Sequence, residues 1–273
     1  GEHNSGGRYL KAYDGIERTQ LLLNLFDIVK PDALITLCNP ESTHAAYRLG
    51  TKIFCFCDIP EATHACKLTL PLATKVYAPF FARKELQSRH HTERLFTYNA
   101  FDQCLYMPDK PNKEALTDFG LSETDERNFL LFRQCEIGAS YYNNPKDVAT
   151  RLSKIFNNYK QVYLPHYEPH PIGDLHSLLA FPLCFVGGGG TMNIEAIWWN
   201  TPTISTRPLI TCYDEWLIDR GLMLHADDVE KAKLTILNMM NNMERYAPDG
   251  SIIRNMEFPL KEICDDMEEV VGK

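Results

Sequence analysis

The sequence predicts an α/β protein made of two parallel-sheet units in tandem, and three observations predict it. Short apolar runs of strand length alternate with helical stretches along both halves of the chain. A stretch with Pro108, Pro111, Gly120 and mixed charges of no period separates the two series. The chain has 273 residues, 44% of them hydrophobic, which is enough apolar mass for two cores.

Residues 15–29 carry apolar side chains at helical spacing, and Lys30-Pro31-Asp32 stops that helix. The apolar run 33–38 is a strand. Asn39-Pro40-Glu41-Ser42 starts the next helix, with proline early and an acid in its first turn, and Leu49-Gly50 ends it. A strand at 52–57, a polar loop at 58–64, a strand at 75–78 and a helix from Phe81 complete a βαβα rhythm. The region between Tyr98 and Asn128 is the linker candidate. Beyond it, strands are expected at 128–132, 161–164, 183–186 and 203–205, with helices at 146–157, 173–179, 192–199 and 228–243. An acidic helix over 252–271 closes the chain. The expected domains are therefore 1–100 and 125–251, with the helix within 252–273 packing back on the first.

Composition excludes several classes of function. Lys and Arg number 28 against 36 Asp and Glu, a net charge of −8, which argues against a nucleic-acid partner. Aromatic residues at 11% argue against disorder. No apolar run approaches the ~20 residues of a membrane-spanning helix. Nine cysteines, an odd number in a chain this long, read as buried thiols of a reducing, cytoplasmic setting. A metal or iron–sulfur site from Cys38, Cys55, Cys57 and Cys66 is the sharper alternative. Strand alternation puts Cys55 and Cys57 on one face, but no CxxC pair supports that reading.

The most informative stretch is Phe185-Val186-Gly187-Gly188-Gly189-Gly190-Thr191-Met192-Asn193-Ile194-Glu195. A strand runs into four consecutive glycines and then a helix, whose first amides and positive dipole end suit a phosphate group. A glycine turn that merely permits close packing is the plain alternative. Neither nucleotide fingerprint fits, since the Walker lysine and the spaced GxGxxG are both absent. Glu195 lies about one helical turn in, where its two oxygens can accept from vicinal ribose hydroxyls.

The segment 185–202 (FVGGGGTMNIEAIWWNTP) resembles the nucleotide-binding motif of GT-B-fold sugar enzymes, especially UDP-N-acetylglucosamine 2-epimerase. The chain looks closest to a largely archaeal family of uncharacterised relatives of that epimerase. The likeness extends through Lys30-Pro31-Asp32, Asn39-Pro40-Glu41, Asp58-Ile59-Pro60-Glu61-Ala62, the run 68–73, Ala139-Ser140-Tyr141-Tyr142 and the run 217–222. It implies two Rossmann-like domains facing across a cleft, with the nucleotide held by the C-terminal one. Gly188, Gly189, Gly190 and Thr191 then match the diphosphate turn, and Glu195 the ribose acid. Arg133 falls where the epimerases carry a His-Arg-Arg-Glu loop and would pair with diphosphate, unless it is an ordinary surface arginine. Arg207, in Thr206-Arg207-Pro208, is a second diphosphate candidate. Glu61 and Glu41 match first-domain carboxylates suited to acid/base work, although compensation of a helix dipole also accounts for Glu41. His166 and His170 follow a strand at its carboxyl end and are candidates to touch base, phosphate or sugar. His44 and His64 are lesser cleft candidates.

The resemblance implies a UDP-sugar as substrate, with no further cofactor and no required metal. It implies glycosyl transfer or 2-epimerisation, and the two are not separable in sequence. There are departures. Phe132 stands where the epimerases have a histidine, and Cys66-Lys67-Leu68 stands near a glutamate they use. These favour the alternative of a non-catalytic nucleotide-binding or scaffold protein that kept the diphosphate pocket. A strand–helix–strand unit that opens such relatives has no counterpart ahead of Gly1, so the first domain is expected to be incomplete, with Gly6-Gly7 the remains of a cleft loop. A homodimer, or completion by the missing segment, is the expected partnership.

Overall fold

The computed structural model describes residues 8–138, 146–166, 168, 169, 171 and 173–272. Gly6-Gly7, the Ala139–Tyr142 motif and His170 lie outside the described residues. The chain divides into two compact units: residues up to Ala100 together with those from Phe258, and Phe101–Glu257.

The first unit runs α1 (Arg8–Val29), β1 (Ala33–Thr36), α2 (Pro40–Arg48), β2 (Lys52–Phe56), α3 (Thr63–Thr69), β3 (Lys75–Pro79), α4 (Arg83–His90) and β4 (Leu95–Tyr98). Its four strands are parallel, in the order β1-β2-β3-β4. Asn39 caps α2 by accepting from the Ser42 N–H at 2.9 Å, with Pro40 and Glu41 in the first turn. This is the start signal read from the sequence.

The second unit contains α5 (Glu114–Asp118), β5 (Leu130–Arg133), α6 (Val148–Ile155), β6 (Gln161–Leu164), α7 (Leu175–Leu178), β7 (Cys184–Gly187), α8 (Thr191–Trp198), β8 (Thr203–Ser205), α9 (Cys212–Asp219), β9 (Leu224–His225), α10 (Val229–Asn241) and α11 (Ser251–Arg254). All five strands are parallel, in the order β6-β5-β7-β8-β9. Alternation along β5 splits the core between the two faces of this sheet. Leu130 and Phe132 join Val186, Ile204 and Ile236, while Phe129 and Leu131 join Leu164, Phe185 and Ala196. Burial on both faces explains why these strands read as unbroken apolar runs.

Two parallel α/β sheets, one of four strands and one of five, make the fold GT-B-like. Some elements differ from the sequence reading. The region 98–128 is not a bare linker, because Ala115, Leu116 and Leu121 are buried against Phe129 and Phe181 of the second unit. The closing helix is not continuous over 252–271. It breaks between α11 and α12 (Leu260–Val271), where Pro259 lacks an N–H and disfavours helical backbone at Phe258. α12 belongs to the first unit, and its Asp266 accepts from the Tyr77 hydroxyl at 2.5 Å and pairs with Lys75. Part of the polar loop expected at 58–64 is the start of α3, and β4, α9 and β9 were not anticipated. Among the described residues, no helix is long and apolar enough to cross a membrane.

Candidate nucleotide-diphosphate site

The site is built where the second sheet changes direction. The chain passes from β5 outward to β6 and then returns to the other side of β5 for β7. The loops after β5 and β7 therefore diverge at a topological switch point, the usual ligand crevice of an open parallel sheet. Phe132 pairs with Val186 in register, so Arg133 and Gly187 leave the same carboxyl edge at the same level. Cys135, just beyond, donates from its sulfur to the Gly188 carbonyl at 3.6 Å.

The glycine turn rests on a buried polar pillar. Gly189 has φ +91, and a β-carbon there would stand 2.5 Å from the Arg207 side-chain stem. Arg207 is only 3% exposed and its guanidinium donates to the Tyr213 hydroxyl at 2.5 Å and lies 3.3 Å from Asp214 Oδ2. Asp214 also accepts from the Thr211 N–H and hydroxyl at 3.0 and 2.7 Å, closing the cap of α9. The Tyr213 hydroxyl accepts the Gly190 N–H at 2.7 Å. Arg207 thus holds the turn from beneath, and its charge is met by Asp214. The sequence missed Tyr213 and Asp214 as members of this site, although Thr211-x-x-Asp214 before an apolar stretch is a legible capping signal.

α8 then starts at Thr191, which is exposed, with Gly190 as its N-cap at φ +88. The first amides of the helix have no carbonyl one turn back and point outward at its positive dipole end. Glu195 lies one turn further on, 4% exposed. Its Oε1 accepts from the Tyr106 hydroxyl at 2.8 Å and lies 3.5 Å from His176 Nδ1. Among the described residues, Oε2 takes no such contact. Burial raises the Glu195 carboxyl above its ordinary value, while Tyr106 and His176 work to lower it. Neither partner carried a sequence signal, since each comes from a distant turn.

On the neighbouring strands, Arg133 donates to the Pro165 carbonyl at 2.6 Å and stands 3.2 Å from His166 Nδ1. The backbone N–H of His166 donates to Gln134 Oε1 at 2.8 Å. Burial disfavours the charged form and lowers the pKa of the Arg133 guanidinium below the usual arginine value. Arg133 and His166 are thus brought together beside the glycine turn, which chain position alone did not indicate. Phe132, by contrast, is fully buried in the core on the opposite face of β5.

The first-unit candidates stand at the carboxyl edge of the other sheet. Glu41 follows β1 and pairs with Arg18 of α1 at 2.7 Å. Glu61 follows the adjacent β2, half-buried, its carbonyl accepting the Thr63 N–H at 2.7 Å. Among the described residues, Glu41 is paired with Arg18 and not with Glu61. His44 lies 3.1 Å from the Leu68 carbonyl through Nε2, and His64 is exposed.

The chain is similar to several known proteins. An uncharacterised protein of Methanocaldococcus jannaschii, MJ0665, is 26% identical over 241 residues, 79% of this chain and 69% of that protein. The structure of S. aureus MnaA with UDP superposes with a TM-score of 0.72 at 14% identity, covering 94% of this chain and 79% of that one. UDP-GlcNAc 2-epimerase from Neisseria meningitidis, bound to UDP-GlcNAc, gives 0.68 at 13% identity, covering 93% and 81%. These structural likenesses establish the fold. The model of a family described as protein of unknown function (DUF354) matches residues 10–268, and the chain belongs to that family.

Proposed function

We propose that this chain binds a nucleotide-diphosphate sugar through its second unit and acts on it as a glycosyltransferase or 2-epimerase. The observation that carries this reading is the turn from β7 to α8 at the switch point, with Glu195 one helical turn beyond it. The diphosphate would lie on Gly188, Gly189, Gly190 and the Thr191 amide, with Arg133 alongside. The second oxygen of Glu195 would accept from the ribose. Both reactions share one event: the bond from the anomeric carbon to the diphosphate breaks, and charge builds on the departing phosphate. Backbone amides, the helix dipole and the Arg133 guanidinium stabilise that charge. Glu61 would move the proton to or from sugar or acceptor, with Glu41 as its partner in epimerisation and His166 touching the phosphate or sugar. A non-catalytic binding protein is the second reading, favoured by Phe132, which is buried in the core and offers no acid or base.

Calorimetric titration with UDP and UDP-N-acetylglucosamine tests the reading. Saturable binding is expected, weakened at least about tenfold by Glu195→Ala, the equivalent of ~1.4 kcal/mol. Because burial raises the Glu195 carboxyl, affinity should fall as pH drops through that raised value, and Glu195→Gln should abolish the step. Glu61→Ala should spare binding and remove turnover. No affinity for any nucleoside diphosphate would overturn the proposal.

A further inference from the structure

The first unit carries a cluster of thiols that the diphosphate chemistry does not use. Register places Thr36 opposite Cys55, so Cys38 and Cys57, each two residues on, leave β1 and β2 at the same level. Cys38 turns there with φ +44, immediately ahead of the Asn39 cap. Cys66 comes from α3 and is fully buried, as is Cys57 to within 2%. The sulfurs of Cys38, Cys57 and Cys66 all lie within 4.8 Å of one another, and Cys57 and Cys66 are 3.8 Å apart. A tetrahedral ion with metal–sulfur bonds near 2.3 Å holds its sulfurs about 3.8 Å apart. The Cys55 sulfur contacts Cys38 at 3.4 Å but stands outside the group of three.

We infer that Cys38, Cys57 and Cys66 form a three-thiolate site for a soft divalent ion, zinc by preference, with its fourth position open. Thiolate ligands select zinc over the oxygen-seeking cations, and three protein ligands with one open position is an arrangement zinc adopts in reactive sites. The site has no CxxC signature because its ligands come from two strand ends and a helix. Cys38 is only half-buried, which provides an entry route.

Elemental analysis of the full chain, purified with its thiols reduced, should find about one zinc per chain. Replacement by cobalt should produce thiolate-to-cobalt charge-transfer absorption with the visible bands of a tetrahedral ion. Cys57→Ser and Cys66→Ser should lose both signals, with circular dichroism confirming that each variant is folded. Cys38→Ala, the least buried change, should weaken cobalt binding at least tenfold. Cys55→Ser, Cys104→Ser and Cys212→Ser should keep it. The inference is overturned by cobalt uptake without charge transfer or by bands that survive Cys66→Ser. It is equally overturned by loss of the metal in Cys55→Ser, by iron with acid-labile sulfide in place of zinc, or by a Cys57–Cys66 disulfide. The readout is independent of nucleotide binding, so it stands or falls separately from the proposed function.

Discussion

The two units share a sheet architecture but distribute burial differently. The second encloses its sheet between two apolar clusters, and places charged groups beneath its glycine turn only where each has a partner. The first leaves much apolar surface in solvent: Ile16 and Ile28 of α1 are 69% and 79% exposed, and Ile35 of the edge strand β1 is 63% exposed. Among the described residues its interior contains three buried thiols, Cys55, Cys57 and Cys66, and the second unit contains two, Cys135 and Cys184. The contrast teaches where rigidity is spent. The glycine turn of the second unit is held in one conformation by a buried ion pair beneath it, the pre-organisation that the proposed diphosphate binding requires. A carboxylate such as Glu41, tied to Arg18 at the surface, is free to move at little cost.

The largest expected effect falls on the buried pair. Asp214→Ala leaves the Arg207 guanidinium buried without its carboxylate and opens the cap of α9, so chemical denaturation should show a loss of about 3–5 kcal/mol. A loss below 1 kcal/mol would mean that the pillar does not carry the turn. Next come the glycines. Gly189→Ala meets both a positive φ and the Arg207 stem, whereas Gly190→Ala meets the positive φ with nothing within 4 Å. Backbone strain alone costs about 1–3 kcal/mol, so both variants should be less stable, with Gly189→Ala the worse and the weaker in UDP titration. Equal losses would remove Arg207 from the account. The smallest effect belongs to the first unit. Glu41→Gln breaks a partly exposed pair and should cost under about 1 kcal/mol in the same denaturation experiment. A larger loss would show that the α1–α2 contact is organised around that pair.

Much of the fold was legible because its signals are local. The Asn39-Pro40-Glu41 cap, the Leu49-Gly50 stop and the strand–glycine–helix passage at 184–198 each follow from neighbouring residues. The two-residue β9 was missed because it is short, whereas α9 and the break at Pro259 carry local signals, the Thr211-x-x-Asp214 box and the proline itself, that a reading by apolar periodicity passes over. The site was legible in part for the same reason. Glu195 and the glycines sit in one continuous motif, while Tyr106 and His176 reach Glu195 from remote turns.

By itself the sequence determined that two parallel α/β units would form, where a glycine turn would lead from a strand into a helix, and that an acid would follow it by one helical turn. Periodicity, caps and glycine runs act over a few residues, so they can be read along the chain. Only the tertiary structure decided that Arg207 lies beneath the turn with Asp214, that Arg133 meets His166, and that three sulfurs from separate segments converge. Those outcomes depend on strand order, register and burial, which fix distances between residues far apart in sequence.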